Sequence, residues 1–218
     1  MTATIKAQGL WRRSGSPPLH AKKAGKIITD SISADWDVKF RSLRDRLPSS
    51  KSRRQGFIDV LTGGRGSGKT QAAVCLIGLY NRDERAAKYF IANELFRRLR
   101  STFDEDGESL DREMRALCGK TREDTLELLV IDEIHDIKNS EWENQILIEI
   151  IDQRYARELG TVLITNELPE VAAERLGESI VDRIRESGKF LPFNWGSLRK
   201  ELREEDHGRS DFNRDEGR

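Results

Sequence analysis

Apolar positions fall along this chain in short blocks of two kinds. FIDVLTG (57–63), AAKYFIA (86–92), TLELLVIDE (125–133) and TVLITNE (161–167) are brief, nearly continuous apolar runs ended by Gly, Asn or acidic residues. Runs of that length and ending read as buried strands. Between them, KTQAAVCLIGLYNRD (69–83), NELFRRLRSTFDE (93–105), SEWENQILIEIIDQRYARELG (140–160) and LPEVAAERLGESIVDRIRES (168–187) space their apolar residues at three and four, the period of a helix. Asn93 is expected to cap the second of these. Residues 104–120 are polar and irregular, with one helical stretch at SLDREMRALCGK, and KFLPFNW (189–195) reads as a last short strand. Strand alternating with helix predicts an α/β fold, a parallel sheet covered by helices on both faces. Ligands of such sheets bind at the carboxyl ends of the strands.

The first 56 residues differ in kind. Residues 1–30 include SGSPPLHAKKAGK, whose Pro, Gly, Ser and Lys predict an extended or disordered arm. In SISADWDVKFRSLRDRL (31–47), Trp36, Phe40, Leu43 and Leu47 share one helical face, with Ser33 placed to cap it. Such a helix either packs on the main domain or docks a partner. PSSKSRRQG (48–56) follows as a linker.

Charge sharpens that division. The chain of 218 residues has a formal net charge of zero, yet residues 1–56 hold 13 Lys and Arg against 4 Asp and Glu, leaving 25 against 34 elsewhere. A basic arm on an acidic body is either a solvated leader or a contact for an acidic partner, nucleic acid or protein. Cys75 and Cys118 show no paired spacing, and Cys75 falls in an apolar run, so free thiols and a reducing cytoplasm are expected. No apolar run approaches the roughly 18 residues of a membrane span, and no secretory apolar segment opens the chain. A soluble cytoplasmic protein without a membrane partner is expected. His20, His135 and His207 are scattered and suggest no metal cluster.

The chemistry begins at LTGGRGSGKTQAA (61–73). Gly63, Gly64, Arg65, Gly66, Ser67, Gly68, Lys69 and Thr70 fit GxxxxGK[ST] between a strand and a helix. Its glycines let backbone N–H groups close around phosphate oxygens, and the helix N-terminus favours their charge. Lys69 is expected on the β and γ phosphates, Thr70 on Mg2+, and Gln71 beside the nucleotide. LELLVIDE ends a buried strand in two acids. Asp132 suits the magnesium, and Glu133 suits a general base that activates water. A kinase acting on a small molecule needs no such glutamate, whereas a nucleoside triphosphatase does. Asn166 ends the next strand, where an amide orients the attacking water or senses the γ-phosphate. Arg183 and Arg185 sit two apart on the last long helix and so point different ways. One can pair internally while the other serves a neighbouring subunit as an arginine finger.

In this order, the four elements resemble an AAA+ ATPase. VIDEIHD, ENQILIEIIDQRYAREL, LITNEL and above all LGESIVDRIRESGKFLPFNWGSLRK resemble the DnaC-type replicative helicase loaders and their IstB relatives, over about residues 57–200. The resemblance implies an AAA+ ATPase domain over 57–202, between the basic N-terminal arm of 1–56 and a tail over 203–218 that its composition marks as charged. It gives Arg183 the finger role and makes Arg199 a candidate second nucleotide sensor. It likens 93–107 to an insert facing single-stranded DNA, with Arg97, Arg98, Arg100 and Phe103 suited to phosphate and base contacts. It implies ATP and Mg2+ as ligands. Implied partners are a replicative hexameric DNA helicase, single-stranded DNA and further copies of the chain. The short chain and variable arm suit a bacteriophage-encoded or mobile-element loader. An IstB-like ATPase assisting a transposase would share every core motif, and an ATP-binding adaptor without turnover is the third reading.

Overall fold

Three strands of this computed structural model are buried along their whole length. It describes residues 14–27, 32–47, 56–105, 107–119, 125–138 and 140–198. The buried strands are β1 (Ile58–Thr62), β3 (Leu128–Asp132) and β4 (Gly160–Ile164). They are interior strands of a five-stranded sheet with order β2-β3-β4-β1-β5, where β2 is Ala87–Ile91 and β5 is Lys189–Pro192. Every pairing is parallel, with Val130 opposite Val162 and Val60 opposite both Leu163 and Phe190. Strands covered on both faces need side chains that tolerate burial on both, hence LLVID and GTVLI. The edge strands β2 and β5 are only partly buried.

Helices fill both faces. One core joins Leu76, Tyr80, Val130, Val162 and Phe193 to Trp36, Phe40 and Leu43, beneath α1 (Pro18–Ile27), α2 (Ala34–Arg44) and α3 (Lys69–Arg82). The other packs Leu95, Leu99, Leu117, Ile150 and Ile180 under α4 (Ala92–Glu105), α5 (Gly107–Cys118), α6 (Glu141–Ala156) and α7 (Pro169–Ser187). Ser33 caps α2, accepting from the Trp36 N–H at 3.3 Å. Ser140 and Glu143 close a reciprocal capping box on α6. α7 starts at Pro169 and kinks at Gly177, whose φ of 77° suits glycine.

Two local expectations change. Residues 18–27, expected as extended or disordered, form α1, because Ala24 fits flat against α3 in the first core. α4 begins at Ala92 directly after β2, so Asn93 lies inside the helix rather than capping it. The helix expected at SLDREMRALCGK is observed as α5, whose Met114, Leu117 and Cys118 reach the second core. For the helix at 34–44, the packed reading is the observed one. Trp36 and Leu43 have no exposed surface. Residues 203–218, expected as a charged tail, lie outside the described residues.

Candidate nucleotide site

The loop from Gly63 to Gly68 leaves the carboxyl end of central strand β1 and runs into α3. Its shape requires glycine at Gly63, Gly66 and Gly68, all at positive φ. Gly63 has φ 117°, and a Cβ there would meet the Phe193 carbonyl oxygen at 2.4 Å. Gly68 has φ 92°, and a Cβ would strike the Trp36 indole at 2.8 Å. Gly68 also starts α3 without a side-chain cap, so the first helical N–H groups are left for an anion. Lys69 Nζ turns into the arch of the loop, donating to the Gly63 carbonyl at 2.6 Å, the Gly64 carbonyl at 2.8 Å and Ser67 Oγ at 3.4 Å. Burial pulls this ammonium down to about 8, opposed by the Asp132 carboxylate. A buried cation held by neutral carbonyls is a site that gains from an added anion.

Both ends of the chain grip the loop. Trp36 on α2 donates its indole N–H to the Gly68 carbonyl at 3.1 Å, and Trp195 donates to the Ser67 carbonyl at 3.0 Å. The Leu198 N–H reaches the Gly66 carbonyl at 3.1 Å. Gln71, expected beside the nucleotide, lies in the uncapped first turn of α3, and its side chain turns to α1. Its amide oxygen lies 2.9 Å from His20 Nδ1, and its amide nitrogen donates to the His20 carbonyl at 3.1 Å. Arg65 and Gly64 are exposed at the loop tip.

The acids stand beside the loop. Thr70 Oγ1 donates to Asp132 Oδ2 at 2.7 Å, across 62 residues of sequence. Tyr89 on β2 donates its phenol to the same oxygen at 2.7 Å, and the Glu133 N–H donates to Asp132 Oδ1 at 2.7 Å. Glu133 is exposed and takes a left-handed conformation at φ 60° and ψ 39°. For a residue with a Cβ this costs on the order of 1 kcal/mol, the kind of strain that collects at functional sites.

β4 lies beside β3, so Asn166 emerges next to the acids. Its amide nitrogen is 3.0 Å from His135 Nε2. The next residue, Glu167, is fixed by a two-pronged ion pair with Arg175, at 2.6 and 2.9 Å to Oε1. That guanidinium holds the Glu167 carboxyl below its usual range. The Glu167 carbonyl in turn accepts the Gly63 N–H at 3.0 Å, tying the asparagine turn to the phosphate loop.

Arg183 lies apart from these groups. It forms an ion pair with Asp152 on α6, donates to the Ser179 carbonyl at 2.8 Å and stacks over Tyr155. Arg185 is exposed and paired with Asp182 at 3.1 Å. Arg199 falls outside the described residues. On α4, Arg97 is exposed, Arg98 pairs with Glu113 at 2.6 Å, and Arg100 pairs with Glu143 at 3.5 Å while covering Trp142. Nothing is described of the Phe103 side chain.

Sequence reasoning did not assign Tyr89, Trp36, Trp195 or His135 to the site. Three of them stood in stretches already singled out, Trp36 in SISADWDVKFRSLRDRL, His135 in VIDEIHD and Trp195 in FNWGS. Tyr89 carried no local signal, because only the pairing of β2 with β3 brings it to Asp132.

An uncapped helix start, a buried ammonium and a hydroxyl-carboxylate pair together suit a polyphosphate with a divalent cation. With the strand order and the asparagine on the neighbouring strand, they define a P-loop ATP-binding protein of the AAA+ class. The family described as IstB-like ATP binding protein matches residues 32–206, and the chain belongs to that family. It is 27% identical to the uncharacterized protein YdaV of Escherichia coli K12 over 201 residues, covering 89% of this chain and 75% of YdaV. It is 25% identical to the replicative helicase loader DnaC of the same strain over 199 residues, covering 91% of this chain and 78% of DnaC. A crystal structure of the DnaC helicase loader superposes with a TM-score of 0.59 at 23% identity, covering 73% of this chain and 90% of that one. That last likeness concerns the fold. Among the described residues, no helix is long and apolar enough to cross a membrane.

Proposed function

We propose that this protein is an ATP-dependent loader that places a replicative DNA helicase on single-stranded DNA. The observation that carries the reading is its likeness to the loader DnaC across 91% of the chain, well beyond the phosphate loop and the acid pair. Thr70 and Asp132 would hold Mg2+, which supplies charge neutralisation at the phosphate oxygens. Lys69 exchanges its loop carbonyls for phosphate oxygens. Glu133 accepts the proton of the attacking water, and Asn166, oriented by His135, positions that water. Arg183 completes the ATP site of a neighbouring copy, which ties turnover to assembly. In DNA binding, Arg97 is free to meet phosphate, whereas Arg98 and Arg100 must exchange Glu113 and Glu143 for it.

The N-terminal segment is the proposed helicase dock. Leu19 on α1 and Val38 on α2 are exposed apolar side chains on it, at 63% and 60%. Deleting residues 1–50 would also strip Trp36, Phe40 and Leu43 from the core, so point changes are the cleaner test. Capture of a replicative hexameric helicase by the full chain with ATP, lost in Leu19→Glu and Val38→Glu, supports the reading. A chain that turns over ATP but never retains the helicase would overturn it. The transposase-assisting reading, which the family's IstB-like description favours, would then take its place.

A further inference from the structure

We propose that Tyr89 is a positioning residue that fixes the cation-holding carboxylate of Asp132. The inference rests on the reading of Thr70 and Asp132 as the Mg2+ site. Asp132 Oδ2 has two donors at 2.7 Å, Thr70 and Tyr89, and Oδ1 has the Glu133 N–H at 2.7 Å. Thr70 and Glu133 are themselves parts of the reacting site and must adjust when nucleotide enters. Tyr89 is the one donor of the three that stands outside it, on a different strand. Remove the phenol, and Oδ2 is held only by the side chain expected to share the cation with it.

Tyr89 is itself built in rigidly. It is 6% exposed and sits at the β2–β3 seam, opposite Val130. Its N–H donates to the Ser14 carbonyl at 2.7 Å, and Gly15 packs so close that a Cβ there would lie 2.7 Å from the Tyr89 carbonyl oxygen. A tyrosine kept only to fill the core would need no partner on the acid. A charge-assisted bond from a fixed phenol keeps the carboxylate in one rotamer.

The test is Tyr89→Phe, which keeps the ring and removes the hydroxyl. Binding of a fluorescent ATP analogue is titrated with Mg2+, and again with EDTA present. The half-saturating Mg2+ concentration should rise about tenfold or more, as expected when a hydrogen-bond partner that orients a cation-holding carboxylate is removed. Binding in EDTA should be unchanged. In an Asp132→Asn background, Tyr89→Phe should add no further change. An unaltered Mg2+ midpoint overturns the proposal, as does an equal loss of binding in EDTA, which would mark a purely structural residue. A wild-type protein whose nucleotide binding ignores Mg2+ would remove the cation-site reading itself, and this inference with it.

Discussion

Replacing Arg154 with Met should cost about 3–5 kcal/mol of folding stability without altering the ATP site. Arg154 is a fully buried guanidinium on α6 whose hydrogen-bond partners include no carboxylate. Desolvation draws it down to about 10, so it remains charged at neutral pH. It donates to the carbonyls of Leu117, Leu126 and Gly160 at 2.5, 3.1 and 2.6 Å, and to Thr161 Oγ1 at 2.9 Å. A longer contact of 3.4 Å reaches the Glu127 carbonyl, which also accepts the Gly160 N–H. The loss therefore falls mainly on two oxygens. Leu117 is in the last turn of α5, where carbonyls have no helical partner, and Leu126 precedes β3. Each buried carbonyl left unpaired costs about 1–3 kcal/mol, and relief of the desolvated charge offsets part of that. Lysine, a point charge without the planar fork, should recover little of the loss. The assay is urea unfolding followed by circular dichroism, with nucleotide affinity measured in parallel. Since Arg154 grips the amino ends of β3 and β4, opposite the ends bearing Asp132 and Asn166, molecules that fold should bind ATP normally. A Met variant within about 1 kcal/mol of wild type would refute this account of the buried fork.

Other expectations can be checked with single substitutions. Glu133→Gln should keep nucleotide binding and lower turnover by about 10²–10⁴-fold, the usual contribution of a general base; unchanged turnover in a single-turnover assay would exclude that role. Asp59, buried on β1, is raised by burial to about 6 against the opposing pull of Arg46 and Lys189. The folded state therefore holds its proton more tightly than the unfolded chain, and stability should fall as pH rises from about 4 to about 6. Asp59→Asn should flatten that segment of the pH profile and recover on the order of 2–3 kcal/mol at pH 7 in calorimetry; a profile identical to wild type would contradict it. Trp36→Phe keeps a ring against Phe40 but drops the bond to Gly68, and its thermal midpoint should fall by about 2–4 °C.

What could be read from the sequence was whatever is encoded locally. GGRGSGKT, LLVIDE and LITNE each carry their chemistry within a few residues of a strand end. The strand order then places Lys69, Thr70, Asp132, Glu133 and Asn166 just beyond the carboxyl ends of the adjacent strands β1, β4 and β3. The helix at 34–44 was legible from its spacing, though not its destination beneath the phosphate loop. α1 was hidden because Pro and Gly weigh against a helix, and contact with α3 stabilises one there. Tyr89 and Arg154 owe their partners to strand pairing and long-range packing, which no short window of sequence contains.

The grip of two indoles on the phosphate loop also has an optical consequence. Of the four tryptophans in the chain, Trp36 and Trp195 each donate directly to a carbonyl of that loop. Indole emission responds to hydrogen bonding and local polarity. Any rearrangement at Ser67 or Gly68 should therefore appear in the intrinsic fluorescence of the unlabelled protein. Loop motion in this chain can be timed by stopped flow with the chromophores it already carries, one reporting from each end of the polypeptide.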